Sequence, residues 1–366
     1  MKKKKGKSGT KRIVPQKEVI GIDVASKTNS VRIGFKLPED EKMYIGEEKT
    51  FTNDDEGHKA LCAHVAKFTH PDCVNRSYVM EATGIYHEDL AYHLHRSGFQ
   101  VNILLPNRVK AYKQSENELS KTDSIDARLL VKMGLEKTLT NWVPPAAEVY
   151  VLKQLSRERY RLLADRTAQK NQIHAIQRSA NPSKTTLKRQ EAIVKLLEKQ
   201  IVEVEQEIKL LVKKHSYITE AVNRACTIPG IGLISAVTVL AETNFFLDFN
   251  NAKQVTKYAG LDIILKESGT FKGKRRISKR GNSYLRAALY MPSLSAVRYN
   301  KPIKELYDRI TDKCSVKMKG LIAGCRKLLC LMCSMEKNKK DFDNNYHQKR
   351  VEETGPKLNK LAQASL

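Results

Sequence analysis

The sequence predicts an α/β domain, then a helical hairpin arm, then a mainly α-helical C-terminal domain. Three observations carry this. Over about 130 residues after a basic N-terminus, short apolar runs alternate with helical segments. From about 148 to 215 the chain is charged and poor in glycine, with apolar residues stepping by threes and fours. Beyond 219 come apolar helical runs carrying most of the cysteines.

Residues 1–17 begin "MKKKKGKSGTKR", basic and with no apolar core behind them. They read as a disordered arm able to touch phosphates, not as a secretory signal. The α/β domain is placed at 18–147. "EVIGIDVASKTNSVRIGF" gives two strands around a polar turn, followed by a strand near 43–52 and a helix near 56–69. "RSYVMEATG" is a short strand, residues 86–96 a helix, and "FQVNILLP" a strand stopped by Pro106. Trp142 and "VPPAAE" mark the boundary.

The arm spans 148–218. Ile193, Leu197, Ile201, Val204, Ile208 and Leu211 have coiled-coil spacing, and "SANPSK" separates them from an earlier stripe through Leu152, Leu155 and Leu162. An arm of this kind favours self-association, with a solvated strut as the alternative. The helical domain is placed at 219–336, and the polar tail 337–366 reads as loose.

With 66 Lys and Arg against 40 Asp and Glu, the formal charge is +26. Such an excess favours a polyanion, most simply nucleic acid. No run of 18 apolar residues offers a membrane span. Seven cysteines without regular spacing argue against a disulfide framework, and Cys330 and Cys333 read as buried thiols of a reducing compartment. A cytoplasmic location is expected.

Four acids stand out. Asp23 lies within an apolar strand in "GIDVAS", and Glu81 ends another in "VMEATG". Asp123 and Asp126, in "KTDSIDARLL", share one helix face. Lone carboxylates in apolar company are costly unless paired or metal-bound. Convergence on a divalent cation, Mg²⁺ as one ion or two with Mn²⁺ able to substitute, accounts for all four. For the helix pair alone, Asp123 as a cap and Asp126 as a solvated side chain is the alternative. Lys121, Arg108 and Lys110 nearby are candidate phosphate contacts.

In the C-terminal half, "IPGIG" places Gly230 and Gly232 in a turn between helices, similar to helix-hairpin-helix DNA-binding elements. Further on, Lys272, Lys274, Arg275, Arg276, Lys279 and Arg280 crowd a segment loosened by Gly273 and Gly281. A backbone-docking loop is expected there, extended by Arg286. A solvated charge run is the alternative.

The order of strand Asp, strand-end Glu and Asp-x-x-Asp resembles the DEDD site of RuvC-like Holliday-junction resolvases on an RNase H-like fold. More closely, "GIDVASK", "EATGIY", "LLPNRVKAY" and "KTDSIDARLL" resemble the N-terminal domain of the IS 110 family of insertion-sequence transposases. Gly260, Leu261, Ser268, Gly269, Ile277, Ser278, Lys279, Gly281, Leu285 and Arg286 match the C-terminal pattern of that family, which also covers IS 116 and IS 902 elements. Ile263 replaces the family's proline and Glu267 its glutamine.

The resemblance implies a prokaryotic, nucleoid-associated transposase or recombinase of donor and target DNA. It implies a Mg-binding tetrad acting with a nucleophilic serine, Ser268, with Ser278 as runner-up. It also implies a homo-oligomer, dimer or tetramer, working with a structured noncoding guide (bridge) RNA. Glu267 beside the serine could raise the barrier to an alkoxide or act as a base. Two other readings stand beside this one: a metal-dependent resolvase-like nuclease using water, and a non-catalytic nucleic-acid-binding protein.

Overall fold

The computed structural model describes residues 13–39, 42–116, 123–265, 267–268, 270–273, 276–314 and 316–344. Lys121, Lys274 and Arg275, and most of the basic arm and the tail, lie outside the described residues, as do the side chains of Asp123 and Lys272. The chain divides between Pro144 and Pro145 into two compact units.

The first unit is built on a mixed sheet. Strands β1 (Lys17–Val24) and β2 (Thr28–Lys36) form the antiparallel pair expected around the polar turn. The strand expected near 43–52 is two short ones, β3 (Met43–Ile45) and β4 (Lys49–Thr52), both pairing with β2. Helix α1 (Asp55–Phe68) is capped by the Asp54 carboxylate, which accepts from the Gly57 amide at 2.8 Å. Strand β5 (Arg76–Glu81), helix α2 (Glu88–Arg96) and strand β6 (Gln100–Leu104) follow. Pro106 stops β6 and also opens helix α3 (Pro106–Ser115), a helix that apolar periodicity alone does not reveal. Proline suits the first helical turn, where its missing amide hydrogen has no partner anyway. Helix α4 spans Asp123–Glu136.

Strand order is β3-β2-β1-β5-β6, with β1, β5 and β6 mutually parallel. Strand alternation sorts the core into two layers. Ile20, Ile22, Val24, Tyr78 and Met80 meet α1 and α2 through Leu61, Val65, Leu90 and Leu94. Val19 and Val79 meet α3 and α4 through Val109, Tyr112, Leu130 and Val131. Each such fully buried side chain contributes about 1.5–3 kcal/mol. At the other end of β1, buried Glu18 accepts from Arg76 and from the His70 amide, joining β1 to β5.

The second unit opens with the expected hairpin, α5 (Ala147–Gln177) and α6 (Lys184–Lys214). Arg159–Glu205 at 2.6 Å and Lys170–Glu198 at 2.8 Å cross between them in antiparallel register. The hairpin is not a separate body. Val149, Leu152, Val204, Ile208 and Val212 belong to the same core as the helices that follow. The buried stripe on α6 runs through Val194, Ile201, Val204, Ile208 and Val212, while Ile193 is 40% exposed.

Those following helices are α7 (Ser216–Cys226), α8 (Leu233–Glu242), α9 (Ala252–Tyr258), α10 (Ser283–Tyr299), α11 (Lys301–Thr311) and α12 (Lys317–Asn338). Between α9 and α10 lie four two-residue strands: β7 (Ile263–Ile264), β8 (Glu267–Ser268), β9 (Phe271–Lys272) and β10 (Arg276–Ile277). The seven cysteines are free, and Cys325 and Cys333 are buried in α12. No described helix is long and apolar enough to cross a membrane.

A Cβ on Gly21 would come within 2.4 Å of the Ala127 carbonyl oxygen, so α4 seats on β1 only because residue 21 lacks one. Gly21→Val is expected to destabilise the first unit by about 2 kcal/mol through overpacking. A lowered urea midpoint checks it.

Candidate functional site

The first unit gathers the predicted acids at one edge. Ile22 of β1 pairs in parallel with Met80 of β5, so the next residues, Asp23 and Glu81, stand side by side. Val19 and Val79 point toward α4, and by alternation Asp23 and Glu81 point to that same side. Helix α4 runs opposite to β1: Gly134 lies against Val19 and Val79, and Ala127 and Val131 lie over Gly21. The first turn of α4, carrying Asp123 and Asp126, therefore comes to the strand edge that bears Asp23 and Glu81. Acidic residues there also suit the positive end of the helix dipole.

Asp126 is only 18% exposed and accepts from the Lys113 ammonium at 2.6 Å. That lysine sits on α3, which is tied to α4 again by Tyr112 donating to Glu136 and by Lys132 with Glu116. Arg108 and Lys110 are exposed on the same helix. The donor set is all carboxylate, the oxygen chemistry a hard divalent ion takes. Among the described side chains no three acidic, histidine or cysteine groups stand close enough to hold one ion. The Asp123 side chain is outside that description, and a cation sits on Asp126 in the form of Lys113.

Asn53 carries no signal in the sequence that marks it as part of the site. Its amide donates to the carbonyls of Ala25 and Tyr86, each at 3.0 Å, holding the segments that follow Asp23 and Glu81. Its oxygen accepts from Asn29 at 3.1 Å and bonds the buried His58 ring at 2.9 Å. An asparagine in "FTNDDE" looks like turn chemistry; only the fold shows what it joins.

In the second unit, β7 pairs with β10 and β8 with β9, two antiparallel pairs of which the second lies between the strands of the first in sequence and makes a hairpin. The expected basic loop is thus partly strand. Ser268 lies opposite Phe271 near its end and is exposed. Ser278 is half-buried, and its hydroxyl donates to the Asp262 carboxylate while accepting from the Arg280 amide. Arg276, Lys279 and Arg280 are exposed.

Two expected nucleic-acid contacts have architectural roles. The Arg286 guanidinium donates to the carbonyls of Ala259, Gly281 and Asn282 at 2.9–3.3 Å, pinning the chain after the basic segment. Gly230 has φ +103°, and a Cβ there would lie 2.7 Å from the Ala296 amide nitrogen, so it serves close packing on α10. Gly232 begins α8 with open space around it.

The hairpin's base is set by a polar network. The Glu242 side chain is fully buried and accepts from Arg157 at 2.5 and 2.9 Å and from Asn282 at 2.7 Å. Asn282 also caps α10 through the Tyr284 and Leu285 amides. Arg157 lies over the Tyr284 ring at 4.7 Å.

A nucleic-acid enzyme of two parts fits these features: an acid-edged α/β unit and a helical unit with a serine-bearing basic hairpin. Comparison with known families gives two models in this order, the first running past the first unit through α5. Residues 20–182 match a DEDD transposase family model of the IS110 group, and residues 222–308 match the transposase IS116/IS110/IS902 family. The chain belongs to the IS110 family of transposases.

It is 26% identical to a pilin gene-inverting protein of Moraxella bovis, over 91% of this chain and 99% of that protein. It is 25% identical to the transposase of insertion sequence IS1111A from Coxiella burnetii, over 67% and 70%. Among solved structures, Thermus thermophilus RuvC with a Holliday junction aligns over 35% of this chain and 84% of that one, at 12% identity and a TM-score of 0.23.

The buried network at Glu242 can be tested through stability. Arg157→Ala leaves the Glu242 carboxylate buried without its cation; the expected loss is about 2 kcal/mol, discounted for the partial exposure of Arg157. Replacing both by Met should recover much of the urea midpoint.

Stability should also depend on pH. Burial pushes the His58, His64 and His87 rings below the usual histidine range. The unfolded chain then binds more protons below about pH 6.5, so stability holds above that pH and falls as pH drops through it. Urea midpoints at pH 7.5 and 5.5 should show the fall, and His58→Gln should shrink it.

Proposed function

We propose that this chain breaks and rejoins DNA strands through a metal-binding acidic edge and a serine nucleophile. The observation that carries the reading is the alignment of Asp23 and Glu81 on adjacent parallel strands at the first turn of the Asp123–Asp126 helix. The sheet order β3-β2-β1-β5-β6 suits an RNase H-like, RuvC-like assignment of the first unit. Asp23, Glu81, Asp123 and Asp126 would hold Mg²⁺, or Mn²⁺ in its place, with Lys113 leaving Asp126 as the ion enters. When bound, such an ion polarises a phosphate and lowers the pKa of an attacking oxygen.

Ser268, in the second unit, supplies the attacking oxygen. Its Oγ attacks phosphorus, and the Oγ–P bond forms as the P–O bond to the neighbouring deoxyribose breaks. The serine proton goes to a base, and the departing oxygen takes up a proton to become a hydroxyl. Attack by a strand-end hydroxyl on the phosphoserine reverses these steps and joins new strands. Exposed Arg276, Lys279 and Arg280, with Lys272, Lys274 and Arg275 in the same segment, balance the phosphate charge. Arg108, Lys110 and Lys121 do the same near the acids, and exposed Gly232 at the N-cap of α8 suits a phosphate.

The Moraxella relative is named for inverting a pilin gene, an outcome that breaking and rejoining DNA strands would produce. The active form is a homo-oligomer, dimer or tetramer, built through the α5–α6 hairpin in the prokaryotic cytoplasm at the nucleoid. A structured guide RNA pairs with donor and target DNA.

One observation favours a second nucleophile. The Ser278 hydroxyl already donates to a carboxylate, Asp262, that could take its proton. Denaturing gels of protein incubated with labelled DNA and Mg²⁺ separate the two. A denaturant-resistant adduct is expected for wild type, lost in Ser268→Ala, kept in Ser278→Ala, and lost in Asp23→Asn and Asp126→Asn. Cleavage by Ser268→Ala with no adduct from wild type would leave water as the nucleophile.

A further inference from the structure

The second unit has a cleft of about 550 Å³ that neither candidate serine lines. Its walls have two characters. Lys253 and Lys257, one helical turn apart on α9, and Arg326 on α12 form a cationic side. Ile263 and Leu265, 53% and 58% exposed, form an apolar side. The acid among the lining residues is Asp262, whose carboxylate already accepts the Ser278 hydroxyl. Among the described residues no carboxylate lies within ion-pair distance of Lys253, Lys257 or Arg326.

Three cations on one wall, with no ion-paired carboxylate among the described residues, call for an anion, and exposed aliphatics on the other call for a flat or apolar group beside it. A phosphodiester with its own base meets both demands. The volume suits one nucleotide-sized ligand. A base inside a duplex is stacked and paired, so it must leave the helix to reach Ile263 and Leu265. Asp262 links this cleft to Ser278 and so to the basic hairpin.

We infer that the cleft between α9, α12 and β7 seats one unpaired nucleotide of a DNA strand, its phosphate on Lys253, Lys257 and Arg326 and its base on Ile263 and Leu265. The inference rests on the nucleic-acid reading above and deepens it. The cleft would hold the strand next to the hairpin and favour sites where DNA is already opened. Unpairing there selects substrates without reading their sequence.

The test uses the full chain and fluorescein-labelled oligonucleotides, with binding read by anisotropy across a salt series. Lys257→Ala/Arg326→Ala should weaken single-stranded DNA binding at least tenfold and flatten the log-affinity against log-salt slope by about 0.7 for each phosphate no longer neutralised. Lys209→Ala/Lys213→Ala, which removes equal charge from the exposed side of α6, should cost under threefold.

Ile263→Ala/Leu265→Ala should weaken binding of the intact strand severalfold but leave an abasic strand unchanged, which a folding defect would not do. Fully paired duplex should respond to the cleft variants no more than to the control pair. Equal losses from cleft and control variants, or equal losses on intact and abasic strands, overturn the inference.

The same sequence as RNA forms a further arm. A loss confined to RNA overturns the assignment to DNA, and a loss shared by both supports a strand site. If wild type forms its DNA adduct while the cleft variants bind as the control does, the cleft assignment falls and the recombinase reading stands. If wild type binds no DNA, the recombinase reading itself falls.

Discussion

The close seating of α4 on the sheet is the constraint on which the first unit depends. Gly21 and Gly134 let helix and strands approach to a distance that a side chain at either place would prevent. Once the helix lies there, running opposite to β1, geometry leaves its first turn at the strand edge carrying Asp23 and Glu81. Like charges brought together in this way repel, and the fold meets that cost with Lys113, whose ammonium contacts Asp126 from α3. A hard cation would meet it better, because it can accept oxygen ligands from several of these carboxylates at once. The packing of an apolar helix face and the placing of a polar site are thus one event.

The second unit solves a different problem, holding a polar, basic hairpin on a helical body. Buried Glu242 is the fixed point. Arg157 neutralises it from α5, and Asn282 joins it to the N-terminus of α10, directly after the basic segment. Arg286 gathers three carbonyls on the other side of that turn. A charge buried with all its partners is costly to disturb, so these residues fix where the hairpin starts while its exposed serine end stays open to a large ligand.

Much of this was legible in the chain. Strand-helix alternation and the "SANPSK" break both correspond to elements of the structure, because period and turn chemistry act over a few residues. The same local logic saw Pro106 end a strand but not open α3. It also placed Gly230 and Arg286 among nucleic-acid contacts. Their partners, Ala296 in one case and three carbonyls 4 to 27 residues away in the other, are set by tertiary packing. Asn53 and Lys113 were invisible for that reason too, since nothing in their neighbourhoods names the backbone or carboxylate they reach.

The sequence by itself determined the order of an α/β part, a helical hairpin and a helical part, the acids and serines available, and a formal charge of +26, because residue type and spacing are local properties. Only the tertiary structure decided which acids share an edge, which arginines are already engaged, and that a carboxylate waits beside Ser278. Those are facts of distance. Distance between residues far apart in the chain depends on how closely helices and strands can approach, and here glycines without a Cβ set that approach.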